Sequence, residues 1–327
     1  MKSEKILHSL MIAFILLLSP NMVFAQTTQI CGGGECAKLY LSDGQILSDM
    51  TIDATDFMHG VEMNVPGTAY LINVVVKNAG SSDPRRQFGR GDGRGVVVTG
   101  PGARIVVNGG SSNNNSEDGY RASLGGELVI TGASANNNVK IGFFAGVDST
   151  MSINDGNASG NQYGVMGKKF TNITIHGGKY QNNTFQGMQL VQGKTFLMDN
   201  NAILLDNGGD TAAPDAPWAG IAIFGVKDAM IIGASITRNK GGGILAVSDT
   251  KFMDVPTHLR MDSVTISNNA GVAGGGTAIE AQGDTLIEVY NSQLNGKCIE
   301  TIDVSGGFDV GVIKVEGEEV PGDQDCP

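Results

Sequence analysis

Aromatic residues and charge are both scarce in this chain. Of its 327 residues only 6% are aromatic and 17% charged, with a single Trp and 9 Pro. An ordinary soluble domain carries roughly 25% charged residues. Basic charge is scarcest, with 22 Lys and Arg against 33 Asp and Glu and a formal net charge of -11. That excludes nucleic acid as a partner, because binding it needs a basic surface to displace counterions. The few prolines and the lack of a Gly-X-Y period exclude collagen. An apolar fraction of 41% is too high for a wholly disordered chain. Long apolar runs are missing except at the start, where Lys2 and Lys5 precede Leu10–Leu18 and Val23-Phe24-Ala25 follows. This is the layout of a secretory signal peptide over residues 1–25, so the expected location is secreted: periplasmic, extracellular or cell surface. No other segment approaches membrane-span length.

What the chain has in excess is glycine, 48 residues, together with Asn and Val/Ile. They recur in phase. A Val/Ile-rich run, a small residue and a closing Asn repeat at Asn115, Asn138, Asn161, Asn183, Asn207, Asn239 and Asn269. The intervals are 22–24 residues and then 32 and 30, and a Gly opening an apolar run follows most of them. Short alternating strands cannot bury their faces alone, but stacked coils share one core and pair each other's edges. Asn at one corner of every coil can pass amide hydrogen bonds up the stack at about 4.8 Å and tolerates left-handed backbone. The reading is an all-β parallel solenoid; a β-sandwich does not require an in-phase Asn.

The segments Ile175–Leu190 (IHGGKYQNNTFQGMQL) and Ile231–Val247 (IIGASITRNKGGGILAV) resemble the right-handed parallel β-helix repeat proteins of the pectin-lyase-like superfamily. The resemblance runs from about Gly95 to Gly296. It implies a single right-handed parallel β-helix, and it points to function only broadly, since the superfamily holds polysaccharide lyases, hydrolases, epimerases and adhesins. The expected organisation is a signal peptide (1–25), an N-terminal cap with the first strands (26–64), the β-helix (65–297) and a C-terminal cap with an acidic tail (298–327). Four cysteines allow three disulfide pairings. A solenoid of about nine coils separates its ends by roughly 40 Å, beyond disulfide reach. Cys31–Cys36 and Cys298–Cys326 are then the expected pairs, each stapling one end.

Alternation along the strand after each Asn corner puts Phe143, Val165, Met188, Ile221 and Ile244 inward. The outward column becomes Phe144, Met166, Gln189, Ala222 and Leu245, followed by Glu280. It lacks the acidic calcium ligands and the Arg or Lys base that the resemblance implies for a lyase, and the paired carboxylates of a hydrolase. No catalytic residue is assigned. The largely apolar column reads instead as a contact surface for a ligand, a partner or self-association into a homo-oligomer. The preceding strand offers Thr131, Asn154, His176, Asn200, Ile232 and Asp262, with no evident carboxylate to orient His176 as a base, although Asp199 and Asp155 are near Asn200 and Asn154 in sequence.

Extra residues at Gly208–Ala219, Ser248–His258 and Gly271–Gly276 are expected to wall a groove, since solenoid insertions often form the binding face. The first carries Trp218, Asp210 and Asp215, and the second Asp249, Lys251, Asp254 and His258. Trp218, Asp215, Gln189, Asp249, Lys251 and Glu280 are the groove candidates, an aromatic face with polar neighbours suiting a sugar ring. Arg85, Arg86, Arg90 and Arg94 form a local basic stretch able to hold an anionic ligand. Arg90-Gly91-Asp92 also matches an adhesion tripeptide in its letters. No cofactor motif is present, no metal site is assigned, and calcium is the one ion that Asp-rich loops of an exported protein could take up. The leading expectation is a non-catalytic, glycan-binding or adhesive surface protein. The alternatives are a polysaccharide lyase or epimerase working in the groove, and a self-associating scaffold.

Overall fold

The computed structural model describes residues 39–80, 93–208, 220–248, 255–269, 277–294, 297–302, 312–319 and 324–325. The signal peptide, Cys31, Cys36 and Cys326 lie outside these residues, and Cys298 falls in a strand whose side chains are not described. Among the described residues there are strands and no helix.

Each coil up to Gln293–Leu294 contributes one strand to each of three sheets. Ile141–Ala145 enters the first sheet, Thr150–Asn154 the second and Asn157–Ser159 the third, and Tyr163–Lys168 returns to the first. Among the described residues the sheets hold 12, 12 and 10 strands. Pairing between coils among these residues is parallel, with antiparallel pairs only at the C-terminal end. A parallel stack of this kind buries a continuous core and leaves open edges only at its two ends. Phe143, Val165, Met188, Ile221 and Ile244 stand in register as expected, and all are buried.

The closing asparagines form a buried ladder. Asn138 Nδ2 donates to Asn161 Oδ1 at 3.1 Å, Asn161 to Asn183 at 3.1 Å, Asn183 to Asn207 at 2.9 Å and Asn207 to Asn239 at 2.9 Å. Asn115 and Asn269 complete the row at its two ends. Each Oδ1 also accepts the backbone N–H of the preceding rung, as from Asn138 N to Asn161 Oδ1 at 2.9 Å. The left-handed backbone, however, belongs to the residue before each rung: Asn114, Asn137, Gly160, Asn182, Asp206, Arg238 and Asn268 all have φ between 53° and 70°. The ladder residues therefore serve as hydrogen-bonding spacers, and their neighbours make the turn.

The glycines that follow the ladder lie in first-sheet strands or, at Gly220 and Gly243, immediately before them, and have a steric cause. A Cβ on Gly142 would sit 2.7 Å from the carbonyl oxygen of Gly164, and one on Gly164 2.5 Å from that of Gly187. The same approach recurs at Gly60, Gly95, Gly119, Gly187, Gly220 and Gly243, and Gly243 faces Ala278, where the column of glycines ends. The ladder and this column share one corner of the core. Filling it with amides leaves no room for side chains opposite.

Candidate functional site

On the outside of the first sheet the expected column is in register. Arg121 pairs with Phe144, Phe144 with Met166, Met166 with Gln189, Gln189 with Ala222, Ala222 with Leu245, and Leu245 with Glu280. Its apolar members are not an open contact surface: Phe144 is 6% exposed, Met166 4%, Ala222 0% and Leu245 3%. The Arg121 guanidinium lies 4.2 Å above the Phe144 ring, a cation–π arrangement. Ile141, Phe144 and Met166, with Tyr163 packed against them, make a small apolar cluster outside the main core. Alternation gave the direction of these side chains correctly, but not their covering. The self-associating apolar face loses its basis here. Gln189 and Glu280 remain half-exposed, and Glu280 accepts a hydrogen bond from Gln282.

A charged network stands where the chain enters this face. Arg94 Nε lies 3.2 Å from Glu117 Oε2 and 3.9 Å from Asp118 Oδ2, Arg121 Nη1 donates to Asp118 Oδ2 at 2.8 Å, and Lys140 Nζ pairs with Glu117. Among the described residues of this network three cations face two carboxylates. Burial pushes the Asp118 carboxyl above its ordinary value, against the pull of Arg121. Burial likewise lowers the Arg94 guanidinium, with Arg121 adding to the effect. Arg94, expected to hold an anionic ligand, is therefore engaged within the chain. Arg85, Arg86 and Arg90 lie outside the described residues.

The raised Asp118 value has a consequence for stability. The folded state holds this proton more tightly than the unfolded state does. Its contribution is therefore greatest at acid pH and declines as pH rises from the ordinary carboxylate value through the folded one. Asp118→Asn is expected to flatten this part of the pH profile, measured as the melting temperature of variant and parent from pH 3 to pH 7. An identical slope in both proteins would refute the assignment.

Trp218, Asp210, Asp215, Asp249, Lys251 and Asp254 lie outside the described residues, but the connections that carry them are defined by their neighbours. Residues 81–92 join the third-sheet strand Val75–Gly80 to the first-sheet strand Arg94–Thr99. Residues 209–219 join Ile203–Leu205 to Ile221–Phe224, and 270–276 join Thr265–Ser267 to Thr277–Gln282. All three enter the first sheet, whereas 249–254 follow its strand Ile244–Val247. The long connections therefore attach at both edges of one face. His258, expected in the last of these loops, is instead in the second-sheet strand Thr257–Asp262, where its Nε2 lies 2.9 Å from Glu288 Oε2. That hydrogen bond holds the Glu288 carboxyl below its usual range.

The second sheet also corrects the reading of His176. Its partner in the next coil is Asp199, not Asn200, and His176 Nδ1 lies 2.5 Å from Asp199 Oδ1. Asn200, with φ of 56°, occupies the corner. A histidine held through Nδ1 by a carboxylate presents Nε2 as a base. Asp199, near Asn200 in sequence but outside the column expected for this strand, is thus the orienting group. Among the described residues no cluster of three or more His, Cys, Asp or Glu side chains could hold a metal ion. No helix there is long and apolar enough to cross a membrane.

Comparison with known proteins gives one family. Residues 146–316 match the profile described as a right handed beta helix region. Among curated protein sequences none is significantly similar. Among solved structures, the chain is similar to the A-module of mannuronan C-5 epimerase AlgE4 from Azotobacter vinelandii, at 18% identity and a TM-score of 0.48, covering 88% of this chain and 84% of that one. The AlgE6 A-module from the same organism gives 15% identity and a TM-score of 0.46 over 86% and 81%. The catalytic unit of a GH87 α-1,3-glucanase from Streptomyces thermodiastaticus gives 10% and 0.37 over 88% and 69%.

Proposed function

Since the chain belongs to the right-handed β-helix family, we propose that it is an exported polysaccharide-binding protein whose ligand lies across the outer face of the first sheet. The observation carrying this reading is the placement of the long connections: 81–92, 209–219 and 270–276 all enter that sheet, and 249–254 leave it. Between the first two lie four strands, Asp118–Ser123, Ile141–Ala145, Tyr163–Lys168 and Gln186–Val191. At about 4.8 Å per coil these strands set the two connections roughly 24 Å apart, the length of an oligosaccharide, with Arg121 and Gln189 the partly exposed outward groups of the interval and Phe144 and Met166 covered between them. Gln189 supplies a half-exposed polar group on that interval and Glu280 another three strands further along the same sheet, while Trp218 and Asp215 belong to the connection that closes the interval and Asp249 and Lys251 to the one that leaves Ile244–Val247. The cations around Arg121 favour a glycan carrying acidic groups. Calcium is a candidate accessory ion for such a ligand.

The test is retention of the mature chain on a panel of immobilised neutral and acidic polysaccharides, with and without calcium. Trp218→Ala and Gln189→Ala are each expected to weaken binding about tenfold, equivalent to about 1.4 kcal/mol. Binding unaffected by either substitution would exclude this face.

The oriented His176 supports a second reading, a polysaccharide lyase or epimerase. Incubation with uronate polysaccharides should then release unsaturated product, followed by ultraviolet absorbance, or change the polymer's sugar composition. Either activity should fall at least about a hundredfold in His176→Ala. The absence of turnover in the parent protein leaves the binding reading alone.

A further inference from the structure

A depression on the third sheet, away from the face discussed above, has the features of a separate site. It spans three coils, has a volume of about 410 Å³ and is lined by Asn136, Asn137, Asn157, Ser159, Lys179 and Gln181. That volume falls in the lower part of the roughly 300–1,000 Å³ range of small-ligand sites. Its floor is regular, with Asn136 in register with Ser159, Ser159 with Gln181, and Asn157 with Lys179.

The depression lies beside a break in the corner row, where the Asn137 side chain reaches over Gly160. Along the row of left-handed corner residues every coil from Asn114 to Asn268 carries a side chain, except at Gly160. The depression falls at that coil, between the levels of Asn137 and Asn182. Its polar groups are also directed. Asn136 Oδ1 accepts the Ser159 N–H at 3.0 Å, which leaves the Asn136 Nδ2 group as a donor for a ligand. Lys179 is the one charged residue of the lining. The nearby carboxylate, Asp206, already has both oxygens occupied by Arg238, at 2.9 and 2.7 Å. Its carboxyl is held low chiefly by that guanidinium, with Lys179 contributing least. The Lys179 ammonium is thus available to a further anion.

We propose that this depression is a second carbohydrate subsite, which takes one hydroxylated ring bearing a single anionic substituent. Amides and a hydroxyl read the ring hydroxyls, and Lys179 meets the charge. Without an aromatic wall the site is weak alone, with a Kd of about 1 mM. It adds affinity by holding a second stretch of a polymer engaged elsewhere.

Ligand-observed saturation-transfer NMR on the intact mature chain tests this, with galacturonate and the neutral galactose as probes. Galacturonate is expected to saturate, and galactose to bind at least about fivefold more weakly, about 1 kcal/mol. Lys179→Met should erase that difference. Gly160→Asn, a residue suited to left-handed backbone whose Cβ would meet the Asn137 side chain and push that lining residue aside, should remove binding of both sugars. Thr237→Ala, elsewhere on the same sheet, should retain it. Signals unchanged in both Lys179→Met and Gly160→Asn, or saturation by neither sugar in the parent, would overturn the proposal. Melting curves establish that each variant folds, and Lys179→Met decides alone if Gly160→Asn does not. Trp218→Ala separates the two sites: loss of polysaccharide retention with the galacturonate signal intact refers to the first sheet only.

Discussion

Asn161→Ala is expected to destabilise the protein by about 4 kcal/mol, read as a lower urea midpoint in the mature chain. Asn161 is buried in mid-ladder and uses both ends of its amide. Oδ1 accepts from Asn138 N at 2.9 Å and Asn138 Nδ2 at 3.1 Å, while Nδ2 donates to Ala135 O at 2.9 Å and Asn183 Oδ1 at 3.1 Å. Truncation strips the acceptor from a buried backbone N–H, removes the donor from Ala135 O and leaves a cavity. Each unsatisfied buried group costs about 1–3 kcal/mol. Asn269→Ala, at the end of the row and only partly buried, should cost less than half as much. Equal effects at the two positions would show that the ladder is not the source of stability. Asn161→Asp keeps the shape but loses the donor, and burial raises its carboxyl pKa. The folded state then gains relative stability as pH falls, because the protonated acid restores a donor.

Gly164→Ala is expected to cost about 3 kcal/mol, and to do so by adding a single methyl group. The new Cβ would meet Gly187 O at 2.5 Å and Asn183 Nδ2 at 2.9 Å, neither at the free end of a flexible chain. Relief requires moving one coil relative to the next, and that disturbs the parallel pairing of Met166 with Gln189. Gly132→Ala provides the comparison. Gly132 has φ of 63° with nothing within 4 Å of the added atom, so its cost is conformational, about 1–2 kcal/mol. Thermal unfolding of the two variants should rank them in that order, and the reverse order would refute the steric account.

These positions also show what could be read before the fold was known. The phase of the asparagines was legible because every coil must present an amide at the same corner. The register of Phe144, Met166 and Gln189 followed from alternation alone. Their covering did not, since alternation gives the direction of a side chain but not what lies above it. The glycines were visible as residues opening apolar runs, yet a clash with the next coil's carbonyl is a property of the stack. His176 was paired with the wrong neighbour for a countable reason. The coil ending at Asn207 has one more residue between its second-sheet strand and its rung than its neighbours, accommodated where Asn200 and Asn201 have φ of 56° and 60°. Counting back by the usual interval lands on Asn200 and misses Asp199. The side chains on the long connections lie outside the described residues, so their convergence on the first sheet is proposed from connectivity.

The asparagine row also gives the solenoid an electrical direction. Backbone hydrogen bonds in a parallel sheet run both up and down the stack and largely cancel. The rung-to-rung amide bonds run one way: from Asn138 to Asn239 each Nδ2 donates to the rung of the later coil and each Oδ1 accepts from the rung of the earlier one, while the second Nδ2 hydrogen turns back to a carbonyl of an earlier coil. Aligned dipoles polarise one another, so each rung strengthens its neighbours. The interior thus carries a small axial field, with its positive end toward the later coils.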